Sequence, residues 1–338
     1  MEQSKSKEAT VLLVGNTGNG KSATGNSILN KQSFKTTAGP SNAISAVTKD
    51  TGVYNDCTLY VIDCPGVDTE RSPDEIFSLS VENIEKALEM CSFQFSALLL
   101  VLKYGQRFTQ QESNAITNIR GILGQNVIRE CVICVLTYGD DFEADNEDNK
   151  DDLSFLDWCQ QQEGEIKKVF QECMCRCVLF NNRSKDESIK RLQISKLLEL
   201  VEKTTPYTKA MYDNAQGDRQ RLATETQAPK ILQQANATIK ELRQKIPSIG
   251  ASKHPHTLED QLSKLLIDVE IYKESLMRKY EEYEFVKQPL QDLTILRMEI
   301  NSKLKIYEQN SKIGRAQDIT QLNEQEKTAN NKRYCIIL

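Results

Sequence analysis

At 338 residues the chain is long enough for one large domain and an extension. A formal net charge of −5 and a pI near 5.4 leave no basic footprint for a nucleic-acid partner, and the longest apolar run, Phe95 to Leu102, is far short of a membrane span. The first eight residues are polar, carry no secretory apolar region and have no glycine at position 2 for myristoylation, so the expected compartment is the cytosol.

Ala9 to Val14 is a short apolar, β-branched run, the pattern of a buried parallel strand, and residues 9–15 are predicted as the first strand. Gly15, Asn16, Thr17, Gly18, Asn19, Gly20, Lys21 and Ser22 follow directly and match the phosphate-loop pattern G-x-x-x-x-G-K-[ST]. The glycines let successive backbone N–H groups turn inward around phosphates, Lys21 reaches the β- and γ-phosphates, and the Ser22 hydroxyl is placed to ligate Mg²⁺. With Ala23 next, residues 20–30 read as a helix whose N-terminus turns its partial positive charge toward the same phosphates. The expected ligand class is a nucleoside triphosphate with magnesium.

Ser33 to Thr48 is rich in Ser, Thr and Gly and reads as a first switch segment. Thr48 is the candidate hydroxyl for the magnesium shell when a γ-phosphate is present; Ser45 is a rival, and a plain strand-starting threonine is the other reading. Strands are expected over 47–54 and 57–63, the second ending in Asp63-Cys64-Pro65-Gly66. Downstream of a phosphate loop, this D-x-x-G arrangement places Asp63 to hold Mg²⁺ through water and the Gly66 N–H to sense the γ-phosphate.

Ser72 ahead of Pro73, and the capping box from Thr109 to Glu112, open helices near 73–90 and 110–123, with a strand over 94–102 between them. The next strand, 129–137, ends in Thr137-Tyr138-Gly139-Asp140, where guanine-binding GTPases carry an Asn/Thr-Lys-x-Asp box. A carboxylate there accepts two hydrogen bonds from guanine that adenine cannot supply, which makes Asp140 the base reader, with Asp141 as a substitute. Tyr138 replaces the usual Lys, and its ring could stack on the base instead. A strand over 176–181 runs into Asn181 and Asn182, expected either as base-edge contacts or as ordinary turn residues.

Two other patterns are weighed and set aside. Asp141 to Asp152 imitates a calcium loop, but Asn146 stands where glycine is required and Asp152 where a bidentate glutamate belongs, so a solvated acidic loop is expected. Among ten cysteines, Cys131 and Cys134 lie in one expected strand facing opposite sides, and Cys173, Cys175 and Cys177 have no histidine nearby. Free buried thiols are expected there rather than a metal site.

After Thr204-Thr205-Pro206 the chain becomes rich in Lys, Glu and Gln. Ile231, Leu232, Ala235, Ile239, Leu242 and Ile246 mark one helical stripe, and Leu258, Leu262, Leu265, Val269, Tyr272 and Leu276 another, with a turn-rich connection over 247–255. Hairpin packing and a coiled-coil surface are the two readings. The chain ends in Cys335-Ile336-Ile337-Leu338, a C-a-a-X box whose final leucine favours geranylgeranylation of Cys335. The basic patch beside it is thin and a single lipid anchors reversibly, so lasting attachment needs a second input such as dimerisation.

Gly15 to Asn26, Ala46 to Lys49, Asp63 to Gly66, Thr137 to Asp140 and Phe180 to Asn182 together resemble the immunity-associated GTPases, the GIMAP or AIG-type family, related to septins and to the chloroplast-import Toc GTPases. Leu98 to Glu112, with its core Arg107-Phe108-Thr109, resembles a box that belongs to this family. The resemblance implies an α/β, doubly wound P-loop GTPase sheet of about six strands over residues 8–203, a helical or coiled extension over 204–334, and the prenylation box at 335–338. It also implies GTP and GDP with Mg²⁺ as ligands, self-association through the nucleotide face, and peripheral attachment to the cytosolic side of a membrane. Val67 follows Gly66 where Ras-like enzymes have a water-orienting glutamine, so hydrolysis is expected to be slow. Arg107, donated by a partner, is the candidate to stabilise the transferred phosphoryl group beside Lys21, a solvated arginine being the other reading. Two functional readings stand side by side: a membrane-anchored switch with slow GTP hydrolysis, and a GTP-regulated scaffold with negligible hydrolysis. An ATP-using P-loop enzyme is disfavoured by Asp140.

Overall fold

The computed structural model describes residues 7–36, 46–66, 73–149, 153–246 and 255–334. In chain order these form β1 (Lys7–Val14), α1 (Lys21–Leu29), β2 (Thr48–Tyr54), β3 (Cys57–Asp63), α2 (Pro73–Met90), β4 (Ala97–Lys103) and α3 (Gln110–Leu123). Next come α4 (Val127–Cys131), β5 (Val132–Thr137), α5 (Gly139–Asn149), α6 (Phe155–Gln161), α7 (Gly164–Glu172), β6 (Cys177–Leu179) and α8 (Glu187–Val201). The chain continues through α9 (Lys209–Asn214), α10 (Gln216–Gln244), α11 (Pro255–Tyr280), a short 3₁₀ turn and α12 (Lys287–Tyr334).

The six strands make one sheet in the order β2-β3-β1-β4-β5-β6, parallel throughout except for β2 against β3. Every residue of β5, and the first six of β4, are buried, because parallel strands joined by helical crossovers are covered on both faces and read as continuous apolar runs. Leu12, Leu98, Leu100 and Leu136 on one face pack with Ile84 and Leu88 of α2 and Ile116, Ile119 and Ile122 of α3. On the other face Leu13, Leu99, Val101 and Val135 pack with Ile28 of α1 and Ile194 and Leu197 of α8. Burying each such side chain contributes about 1.5–3 kcal/mol. The architecture is the expected doubly wound α/β sheet of six strands followed by a helical extension.

Two local expectations are corrected. The acidic run after Asp140 forms α5 rather than a loop over its described residues, since it contains neither glycine nor proline after Gly139 and its first acids sit at a helix N-terminus, where the dipole favours them. Residues 129–131 complete α4 instead of beginning a strand.

The first compact unit extends to Thr226, beyond the expected boundary at 203. Tyr207 explains the extension: it is fully buried, stacks on Phe95 at 4.7 Å, and donates its hydroxyl to the Leu123 carbonyl at 3.0 Å. Leu222 of α10 then lies so close to Gly121 of α3 that a side chain there would overlap it. The second unit, Gln227–Leu338, has its own apolar core. Ala235, Ile239 and Leu242 of α10 meet Leu258, Leu262, Leu265, Val269 and Leu276 of α11, and both meet Leu293, Leu296 and Ile300 of α12. The second stripe and the first from Ala235 onward therefore pack in one core that includes a third helix, Ile231 and Leu232 standing outside it, and no helix among the described residues is long and apolar enough to cross a membrane.

Candidate functional site

The loop between β1 and α1 curls at the carboxyl end of the sheet, the edge where open α/β sheets bind ligands. Gly15 takes φ 142°, and a Cβ there would stand 2.4 Å from the Val101 carbonyl oxygen. Gly18 and Gly20 have φ 87° and 88°, left-handed values that other residues adopt at a cost. Asn19 pins the loop to β4, its buried amide donating to the Val101 carbonyl at 3.1 Å. Asn16 is held from α3: its amide donates to Glu112 at 2.9 Å. Burial alone would raise the Glu112 pKa, but hydrogen bonds from Thr109, Asn16 and backbone N–H groups outweigh it and hold the carboxylate below its ordinary value.

Lys21 is buried beneath this loop and donates to the Asn16 carbonyl at 2.9 Å. Burial pulls its pKa down, against the attraction of Asp63. A buried ammonium with one carbonyl partner is poised for stronger acceptors, such as phosphate oxygens. Gly66 comes within van der Waals range of the loop: a Cβ on it would meet Thr17 Oγ1 at 2.5 Å and Lys21 Nζ at 2.7 Å. Only glycine brings this N–H so near the phosphate cradle.

The magnesium candidates converge. Ser22 donates its hydroxyl to Asp63 Oδ2 at 2.6 Å, and the antiparallel register sets Thr48 directly opposite Asp63. Asp63 Oδ1 is buried with no hydrogen-bond partner among the described residues. Burial raises the Asp63 pKa, and the Ser22 hydroxyl and Lys21 charge only partly restore it. A hard oxygen donor set with one unspent, half-desolvated carboxylate oxygen fits a magnesium ion and its waters. Ser45 and Val67 lie outside the described residues.

At the other end of the sheet edge, the buried Thr137 hydroxyl lies 2.9 Å from the Asn19 carbonyl and 3.2 Å from that of Leu102, tying the base-side loop to the phosphate loop. Gly139 N–H donates to the Phe180 carbonyl, and Asn181 N–H donates to Gln193 of α8 at 2.8 Å, so the loops after β5 and β6 are joined. Asp140 is half-buried, with Oδ2 3.2 Å from Arg183 and Oδ1 buried without a hydrogen-bond partner among the described residues; Asp141 is exposed. The geometry favours Asp140 over Asp141 as the acceptor.

Two sequence expectations change here. Asn182 donates its amide to Thr24 at 3.0 Å and accepts from Ser27 at 2.8 Å, so both ends of its side chain are engaged by α1 rather than turned to a base edge. Tyr138, at φ 62°, carries Lys103 Nζ 4.4 Å and the Arg183 guanidinium 5.2 Å from its ring centre. Its ring therefore gathers two cations beside the base loop instead of presenting a bare stacking face. Lys103, Arg183 and Gln193 were not singled out from sequence; the only signal was Lys103 ending the strand that pairs with Thr137. Arg107 stands exposed in the connection between β4 and α3, five residues before Glu112. Cys335 lies outside the described residues.

The AIG1 family model matches residues 9–228. Immune-associated nucleotide-binding protein 10 of Arabidopsis thaliana is 31% identical over 281 residues, covering 80% of this chain and 57% of that protein, so the chain spans little more than half of that relative. Immune-associated nucleotide-binding protein 9 of the same plant is 30% identical over 252 residues, covering 72% of this chain and 70% of its own. Among solved structures, Toc33 from Arabidopsis thaliana in complex with GDP and Mg²⁺ aligns with a TM-score of 0.43 at 17% identity, over 60% of this chain and 88% of that one. With a family match that takes in the whole sheet and the site at its edge, the chain belongs to the AIG1 family.

Proposed function

We propose that this chain is a guanine-nucleotide-dependent switch that binds GTP with Mg²⁺, hydrolyses it slowly to GDP, and associates with a second copy in its GTP state. The observation that carries the reading is the pair of buried carboxylate oxygens without hydrogen-bond partners among the described residues, Asp63 Oδ1 and Asp140 Oδ1, one at each end of the cradle. Buried acceptors left unpaired are costly, and a bound nucleotide supplies the donors and the cation that satisfy them. In this reading the loop N–H groups from Gly15 to Ser22 and the Lys21 ammonium bind the β- and γ-phosphates. Ser22 and Asp63, with Thr48, would hold Mg²⁺, whose role is to neutralise charge on the phosphate oxygens. Asp140 and Asn181 orient the base. Titration with a fluorescent GDP analogue, competed by GTP, GDP and ATP in turn, tests it: GTP and GDP should displace the probe and ATP should not. Displacement by ATP at equal concentration overturns the assignment of Asp140.

The scaffold with negligible hydrolysis is the second reading, favoured by Val67 at the position after Gly66. Phosphate release measured over a protein concentration series separates the two. Specific activity that rises with concentration and is lost in Arg107→Ala supports the switch, and no release at any concentration supports the scaffold. Peripheral membrane attachment through a prenylated Cys335 belongs to the proposal on its sequence box alone. Mass spectrometry of the C-terminal peptide from eukaryotic cells tests it, and an unmodified peptide excludes it.

A further inference from the structure

Behind the base-side loop, on the sheet face away from α1 and α8, lies a group of sulfurs the nucleotide reading does not use. Cys134 of β5 and Cys177 of β6 are register partners on adjacent parallel strands, and Cys173 follows the end of α7. The three Sγ atoms all lie within 4.8 Å of one another, with Cys134 and Cys173 3.7 Å apart. Cys159 of α6 is buried in the same core cluster but is not one of the three mutually close sulfurs. All four are at most 5% exposed. A tetrahedral zinc ion with sulfur ligands at about 2.3 Å spaces its sulfurs roughly 3.8 Å apart, close to the distance already present between Cys134 and Cys173. A disulfide would require about 2.05 Å, and these thiols are unpaired.

A second observation points to charge at this place. Arg176 is 3% exposed, donates through Nε to the Val132 carbonyl and through Nη2 to the carbonyls of Ile128 and Arg129, and leaves Nη1 buried without a partner among the described residues. A buried guanidinium calls for a counter-charge, and its field reaches the Cys173 sulfur as well as that of Cys131. Three thiolates around a divalent ion carry a net charge of −1, which Arg176 balances.

We infer that Cys134, Cys173 and Cys177 form a binding site for a soft divalent metal, zinc by its geometry and ligands, with the fourth position open to a further ligand. Binding converts three thiols to thiolates and releases three protons to solvent, with no change in oxidation state. The sequence hid this site because Cys134 is far from Cys173 and Cys177 along the chain and joins them only when β5 pairs with β6. An ion there would fasten β6, a strand of three residues, and with it the loop that carries Asn181.

The test is metal content of the full-length chain, expressed with zinc and purified without chelators, followed by replacement with Co²⁺. One equivalent of zinc per chain, and an intense near-ultraviolet thiolate-to-cobalt charge-transfer band, are expected; the oxygen-lined magnesium candidate site cannot give that band. Cys173→Ser should lose both, whereas Cys57→Ser, in β3 and separated from β5 by two strands, should keep both. Zinc-free protein that takes up no cobalt, cobalt without the thiolate band, metal retained at full stoichiometry in Cys173→Ser, or a disulfide among these cysteines would each overturn the inference. If Cys173→Ser does not fold, the wild-type stoichiometry and cobalt spectrum decide alone.

Discussion

At the phosphate end of the cradle a methyl group added to Gly15 would come within 2.4 Å of a carbonyl oxygen, and one added to Gly66 would collide with Thr17 and Lys21. At the base end the comparable contact, a Cβ on Gly139 against the Asn181 nitrogen, is 3.0 Å, and the feature that discriminates is one unpartnered oxygen of Asp140. The first end is specified by shape that any phosphate chain can use. The second is specified by hydrogen-bond polarity, which can be reversed without moving the backbone. Damage to the first should cost every nucleotide alike, and damage to the second should change which nucleotide is preferred.

Lys21→Ala carries the largest expected effect. Hydrogen bonds to charged groups contribute about 1.5–3 kcal/mol each, so losing the ammonium from two phosphates should weaken GTP and GDP by roughly 100-fold or more. The apoprotein should not be weakened in step, because burial already depresses the Lys21 pKa and, among the described residues, its hydrogen bond is to the Asn16 carbonyl alone. Calorimetric titration together with a melting curve without nucleotide checks both halves. A large loss of apo stability would mean that Lys21 is a structural cation, and the contrast between the two ends would fail.

Asp140→Asn is the matching experiment at the base end, with a smaller effect on total binding. An amide presents one donor and one acceptor where the carboxylate presents two acceptors, so GTP should weaken by about 10–100-fold, one or two charge-assisted hydrogen bonds. Xanthine nucleotides, which carry a carbonyl where guanine has its amino group, should gain relative to GTP. Competition between the two triphosphates measures the exchange. Equal losses for both would remove Asp140 as the reader.

Asp63→Asn separates metal from phosphate within the first end. Burial raises the Asp63 pKa in the fold, so between its ordinary value of 3.8 and the raised one the folded apoprotein binds more protons than the unfolded chain. Stability from this group is thus highest at low pH and is lost as pH rises through the raised value, and Mg²⁺ binding strengthens over the same interval as the carboxylate ionises. The amide should therefore melt higher than wild type without nucleotide at pH 7, by about 2–4 °C for each 1 kcal/mol regained, and should lose the tightening of GTP by Mg²⁺. Melting curves from pH 4 to 7, with and without Mg²⁺, test the sign. Glu112 provides an internal contrast: its pKa is lowered, so its contribution is present above 4.5 and fades as pH falls.

How much of this could be read beforehand follows the same division. The phosphate end is local in sequence, with strand, loop and helix consecutive from Lys7 to Leu29, so spacing alone exposes it. Asp63 and Asp140 were legible because the first ends a strand and the second follows one by three residues, and strand ends gather at one edge of a parallel sheet. What stayed hidden depends on pairing between distant segments. Glu112 looked like a helix cap and also holds Asn16; Asn182 looked like a base contact and is taken by Thr24 and Ser27; Lys103 reaches Tyr138 only through the register of β4 with β5. The boundary at 203 followed a change in composition, but Tyr207 and Leu222 pack back onto the sheet unit, and composition does not report which side of a boundary a buried tyrosine serves.

Arg183→Ala is expected to do least, and for that reason it bears most closely on the comparison. Arg183 pairs with Asp140 Oδ2 at 3.2 Å, yet its side chain is 70% exposed, and such pairs contribute about 0–1 kcal/mol. If base choice rests on the unpartnered Oδ1, removing Arg183 should alter GTP affinity by no more than about fivefold and leave the GTP-to-ATP ratio unchanged. A collapse of that ratio would show that Asp140 reads guanine only while Arg183 fixes its rotamer. The base end would then rest on positioning by a second side chain, and its simplicity relative to the glycine-lined phosphate end would be lost.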